Sequence, residues 1–404
     1  MVLNVYKQRQ ERLQKQLKEN DIDIYVVTQN VDLFYLTGSM QTGYLFIPAE
    51  GEGSYWVRRS VTRALEESAN SVEALGSYKT LKERIFNQYP GFSRAMESSG
   101  GEAAVSLRFA TEFDVLPVQQ YQRLEAAFPG VRWVDGSQLL RELRMIKSPD
   151  EVAAIRRAAA VVDAALEAAI PHIREGMAEF ELMAHIDHQL RQRGHLGLVR
   201  MRGYNSELIT GMVAAGASAA VPTYFDGPAG GQGLSPASPQ GSSRAPIKRG
   251  EPILVDLGCC IDGYLIDQTR TLVIGDLDPE LQRAYEVSEQ VLRDTESRLQ
   301  PGTISEHLYM LALDQVQEAG LSNHFMGFGQ DQVKFLGHGI GLEMDELPVL
   351  AKGFKQPLAP GMVIAIEPKF IFPGRGVVGI ENSYLITENG FEKLTVSREG
   401  IIRL

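Results

Sequence analysis

Apolar positions along this chain follow two rhythms, one at helical spacing and one at strand spacing. In the first twenty residues, MVLNVYKQRQERLQKQLKEN, Tyr6, Leu13 and Leu17 share one face among charges and predict an amphipathic helix. Three β-like runs follow: Ile24-Tyr25-Val26-Val27, Tyr44-Leu45-Phe46-Ile47 and Ser54-Tyr55-Trp56-Val57, parted by glycine-containing turns. Helical stretches alternate with such runs to about Phe128, which predicts a small α/β domain over residues 1–135 and a second domain over 136–404. The second opens on Ser148-Pro149-Asp150-Glu151, with Ser at an N-cap, Pro at the first helical position and Glu three residues beyond the cap. Val152, Ile155, Ala159 and Val162 continue at helical spacing, and Leu182, Ile186 and Leu190 mark a further helix ending at Gly194. Helices near 280–299 and 304–319 precede a strand-dominated segment from about 361, and no internal repeat is visible.

Composition narrows the class of protein. A length of 404 residues suits two domains, and 44% apolar with 23% charged residues is a globular balance. Forty basic residues against fifty-one acidic give a net charge of −11, which argues against partners that are nucleic acids or anionic membranes. Cys259 and Cys260 are the only cysteines and are adjacent, so a reducing, cytoplasmic setting is expected. The N-terminus lacks the apolar core of a signal peptide, and no run of about 18 apolar residues predicts a membrane span. Residues 227–246, GPAGGQGLSPASPQGSSRAP, have no periodicity and read either as a surface loop or as the rim of a site.

Candidate chemistry sits on two hairpins. Ile253–Ile261 and Tyr264–Arg270 flank Asp262-Gly263, a two-residue turn signal. With Ile261 facing Tyr264, Asp267 faces Gly258 and Asp256 lies one diagonal step away on the same face. Two like charges on an apolar sheet are costly unless a cation neutralises them. A second pair, Glu367 and Glu381, stands opposite across Pro373-Gly374-Arg375 if those three residues form the loop. Between the pairs, Gly337-His338-Gly339-Ile340-Gly341-Leu342 offers one imidazole on a backbone that glycines allow to approach closely. Four carboxylates and one imidazole suit two hard or borderline divalent ions, manganese, iron, cobalt or zinc, rather than a thiolate-type site.

Asp256 and Asp267 with Thr269-Arg270-Thr271 behind them, the GHGIGL stretch, Ile366-Glu367-Pro368 and Ile380-Glu381 resemble the signature of the creatinase/aminopeptidase P/prolidase/methionine aminopeptidase superfamily. Met145–Glu151 resembles the start of its catalytic domain, and Tyr35-Leu36-Thr37-Gly38 its N-terminal domain in the prolidase and aminopeptidase P branch. The resemblance implies an α/β (α+β) chain: a creatinase-like N-terminal domain, then a pita-bread catalytic domain with a curved antiparallel sheet, usually in a homodimer. It implies hydrolysis of small peptides with proline in second position. It also implies two divalent ions, manganese first, on Asp256, Asp267, His338, Glu367 and Glu381, with Glu367 holding or deprotonating the water between them.

At three positions where the resembled peptidases supply further histidines, this chain has Thr223, Lys334 and Asp345. Lys334 and Asp345 are accordingly expected to join Glu367 in catalysis, and Arg202, Thr223 and Tyr224 to bind substrate. Arg200–Asn205 reads equally as an arginine fork for a carboxylate or as an ordinary strand. His185 and His188 read as a solvent-facing pair, and the two cysteines as packing residues. A non-peptidase hydrolase or lyase on the same site, or a non-catalytic binding protein, are the alternatives left open. No nucleophile elbow, zincin helix, Walker loop or dinucleotide fingerprint is found.

Overall fold

Helix α1 (Val2–Glu19) buries Leu13 and Leu17 as its spacing predicts, but the same face also takes in Arg9 and Gln10. Arg9 donates to the Tyr35 carbonyl at 2.8 Å and Gln10 to that of Leu36 at 2.7 Å, so the buried polar groups are satisfied. The computed structural model describes residues 2–92, 107–207 and 209–404; the stretch 93–106 of the predicted α/β alternation lies outside these. The chain divides into two units, Met1–Leu143 and Arg144–Leu404.

The first unit is built on one six-stranded sheet. The three predicted runs become β1 (Ile24–Val27), β2 (Gly43–Pro48) and β3 (Ser54–Val57), paired antiparallel. β4 (Ser71–Ala74), β5 (Arg108–Thr111) and β6 (Arg132–Asp135) join them in parallel, giving the order β4-β3-β2-β1-β5-β6. Ile24, Val26, Phe46, Phe109 and Phe128 pack into its core.

The second unit starts on helix α2 (Pro149–Ala169), whose capping box is formed as the sequence predicts: Ser148 Oγ accepts from the Glu151 N–H and Glu151 from the Ser148 N–H. Helices α3 (Glu179–Gln192), α4 (Pro279–Glu296) and α5 (Ser305–Glu318) follow. β7 (Gly211–Ala215), β8 (Pro252–Ile261) and β9 (Tyr264–Val273) form an antiparallel sheet, which β17 (Ile402–Arg403) extends in parallel. The β8–β9 hairpin has the predicted register, Ile261 facing Tyr264 and Gly258 facing Asp267. Asp262 and Gly263 have φ of 51° and 92°, both in the left-handed region that a primed turn needs.

β10 (Phe335–Gly339), β11 (Glu346–Ala351), β12 (Val363–Ile366), β15 (Asn382–Thr387) and β16 (Gly390–Lys393) make a five-stranded antiparallel sheet in the order β11-β10-β12-β15-β16. β13 (Lys369–Phe372) and β14 (Gly376–Gly379) pair separately. Both ladders keep one register: Ile366 pairs Asn382, and Lys369 pairs Gly379 across the gap. The expected second hairpin therefore exists, turning at Pro373–Arg375, but it is interrupted where Glu367 and Glu381 stand. There the Glu367 N–H bonds to the Leu336 carbonyl of β10 at 3.0 Å, and the Glu381 N–H to the Thr269 carbonyl of β9 at 3.1 Å. The break thus draws strands of both sheets towards the two glutamates. No helix among the described residues is long and apolar enough to cross a membrane.

Candidate metal centre

Five strands or strand ends deliver the acidic and imidazole groups to one place. Asp256 comes from β8, Asp267 from β9, His338 from β10, and Glu367 and Glu381 from the interrupted hairpin. The glycines beside His338 are required: a Cβ at Gly337 or Gly339 would strike the carbonyl oxygen of Ala365 or Leu347. Ligand atoms of Asp267, His338 and Glu381 lie within 4.8 Å of one another, a spacing that suits a single ion. His338 Nδ1 is 3.1 Å from the Gly339 carbonyl and 3.3 Å from Asp345 Oδ1, and Nε2 is 3.7 Å from Glu367 Oε1. An Nδ1–H held in this way leaves the Nε2 lone pair facing the carboxylates, as a metal-binding histidine requires.

The cage also holds a group absent from the expected donor set. Lys369, 2% exposed, donates from Nζ to Glu367 Oε2 at 2.6 Å, Glu381 Oε2 at 2.9 Å and Asp256 Oδ2 at 3.0 Å. Glu381 Oε2 further accepts from Thr269 Oγ1 at 2.8 Å, whereas its Oε1 is buried without a hydrogen-bond partner. Burial pushes Glu367 up to about 7 against the pull of Lys369, and raises Asp256 and, well above the usual carboxylate range, Asp267. Glu381 alone is held low, because Lys369 and His338 outweigh its burial. Even with one ammonium inside, the cage is short of positive charge. A buried oxygen left without a partner among clustered carboxylates and one imidazole is what a divalent ion would satisfy, so this donor set fits one.

A cavity opens on the cage, lined among others by Asp256, Asp267, His338, Asp345 and Glu367. Gly227, Pro228, Ala229 and Gln240 also line it, so the 227–246 segment is a rim in this structure. The segment is tied down by Glu179, which accepts from the Ser243 N–H at 2.7 Å, the Ala215 N–H at 2.8 Å and the Ser218 hydroxyl.

The other expected residues fall elsewhere. Lys334 is exposed in a bend before β10 and does not line the cavity. Thr223 and Tyr224 line an adjoining cavity with Phe328 and Gln332. Arg202 sits 3.9 Å from Glu343, in an irregular segment rather than a strand. His185 is exposed and stacks on His172 at 4.9 Å, and both cysteines are buried. Lys369 itself escaped the sequence reading, although a lysine opening the apolar run Lys369-Phe370-Ile371-Phe372 was the available signal.

Known proteins match this organisation along the whole chain. The Xaa-Pro dipeptidase of Pyrococcus furiosus is 27% identical over 399 residues, covering 98% of this chain and 100% of the relative. That of Lactobacillus helveticus is 30% identical over 288 residues, 71% of this chain and 70% of the relative. The crystal structure of the prolidase from Pyrococcus horikoshii OT3 superposes with a TM-score of 0.78 at 26% identity, covering 98% of this chain and 100% of that one. Residues 9–146 match the creatinase/prolidase N-terminal domain. The match to the metallopeptidase family M24 runs over residues 153–388 and takes in all five cage residues and Lys369, and to that family this chain belongs.

Proposed function

We propose that this chain hydrolyses the Xaa-Pro bond of small peptides, using divalent metal held by Asp267, His338 and Glu381 with Asp256 and Glu367 beside them. The observation that carries the reading is the clustering of Asp267, His338 and Glu381, with Asp256, Asp267, His338 and Glu367 lining one cavity. When bound, a divalent ion supplies Lewis acidity, lowering the pKa of a water and polarising the scissile carbonyl. Manganese is the first choice, since carboxylate oxygens dominate the donors. Asp345 and the Gly339 carbonyl orient His338, and Glu367, which lines the cavity, is placed to take a proton from the attacking water. The homodimer and the cytoplasmic setting expected from sequence are parts of the same proposal.

Among the described residues lining the cavity no arginine or lysine is present to meet a free carboxylate, while Asp226 offers a carboxylate to an ammonium. This favours Xaa-Pro-led peptides longer than dipeptides. The test is cleavage of both peptide series by chelator-stripped protein resupplied with Mn²⁺ or Co²⁺. Cleavage restored by the ion and lost in His338→Ala is expected. No cleavage of either series by the ion-loaded protein overturns the proposal.

A further inference from the structure

The family resemblance implies two cations in the cage, yet one cationic group is already built into the chain. The Lys369 ammonium spends its three N–H donors on three different carboxylates, Asp256, Glu367 and Glu381, at 2.6–3.0 Å. Asp267 is not among its partners. Glu381 is divided between two neighbours: Oε2 faces the ammonium, and Oε1 is left without a hydrogen bond in the group that also contains Asp267 and His338.

We propose that Lys369 permanently fills one of the two cation places, so that the chain binds a single divalent ion, at Asp267, His338 and Glu381. This rests on the divalent-metal reading given above. A divalent ion on the Asp256–Glu367 side would need the same oxygens at about 2.0–2.2 Å. At that range it would meet the ammonium head-on in a water-poor site. Charge points the same way. One divalent ion and the ammonium bring three positive charges to four carboxylates, whereas two ions with the ammonium would bring five and overshoot.

The lysine is also accommodated by the fold rather than lodged in it by chance. It is 2% exposed, and its ladder partner on β14 is Gly379. A Cβ on Gly379 would lie 2.7 Å from the Lys369 Cγ, so the glycine leaves the channel through which the stem reaches the cage. Lys369 is thus a positioning residue, holding Asp256 and Glu367 in the place that a second ion would otherwise organise.

The test is metal stoichiometry, read independently of turnover. Wild-type protein, stripped with chelator, equilibrated with excess Mn²⁺ and freed of unbound ion, is assayed by elemental analysis and by electron paramagnetic resonance. Wild type is expected to hold one ion per chain with the spectrum of isolated Mn²⁺. Lys369→Ala is expected to hold two, with a spin-coupled spectrum, and Lys369→Arg one. Should the alanine variant fail to fold, anomalous scattering from Mn²⁺-soaked wild-type crystals decides: one peak beside His338 supports the inference. Two ions in wild type, or one in both wild type and a folded Lys369→Ala, overturn it while sparing the metallopeptidase reading. No ion in wild type but ions in Lys369→Ala overturns the single-ion form. No ion in either protein overturns the metal reading as well.

Discussion

At the scale of single residues, the cage shows how far spacing in a sequence reaches. Asp256 and Asp267 were fixed by counting from the Asp262-Gly263 turn, and the observed ladder keeps that count. Lys369 could not be reached in the same way: its place at the head of an apolar run marks it as unusual, but does not tell whether the stem runs inward along a glycine or outward to water. Lys334 was favoured because it stands where the resembled peptidases supply a histidine, yet it is exposed. Asp345 is the one histidine-replacing residue that the structure brings to the cage, 3.3 Å from His338 Nδ1. It acts on Nδ1 and not on the Nε2 that lies 3.7 Å from Glu367, so its effect should be on how firmly the imidazole is oriented. Asp345→Asn is predicted to weaken Mn²⁺ binding about tenfold, read by isothermal titration, with little change in folding. Unchanged affinity would mean that the Gly339 carbonyl alone suffices.

At the scale of elements, the strand that follows the GHGIGL stretch is held by a buried ionic cluster. Glu346 pairs with Arg144 at 2.5 Å and Lys147 at 2.9 Å, and accepts from the Leu342 and Glu343 N–H groups at 2.9 and 3.1 Å. Burial alone would raise its pKa, but Arg144 and Lys147 outweigh it and hold the carboxyl down at about 2. An unfolded glutamate titrates near about 4.3. The cluster's contribution is therefore complete above that pH and lost as pH falls towards 2, on the order of 3 kcal/mol by linkage. Denaturant titrations of wild type and Glu346→Gln should differ most at neutral pH and converge between about pH 5 and 2; a gap independent of pH would refute this. Neither the cluster nor the role of Glu179 under the 227–246 rim was legible beforehand. Both join residues far apart in the chain, which periodicity does not connect. The capping box of α2 was legible because all its partners lie within four consecutive residues.

At the scale of the whole molecule, two units with separate apolar cores should not melt as one. Every cage residue belongs to Arg144–Leu404, so metal binding should stabilise that unit alone. Calorimetry is expected to resolve two transitions, of which only one rises with Mn²⁺, by about 2.7 kcal/mol of stability at a hundredfold excess over the dissociation constant. A single transition, or two that shift together, would show the units to be energetically joined. The interrupted hairpin carries a further consequence. Its two arms, Glu367–Phe372 and Gly376–Glu381, are equal in length and are measured from one shared bend, so they act as a gauge. Inserting a single residue at that bend would slip one arm past the other and send either Lys369 or a glutamate to the wrong side. The same insertion among the serines and prolines of the rim would alter only what is admitted.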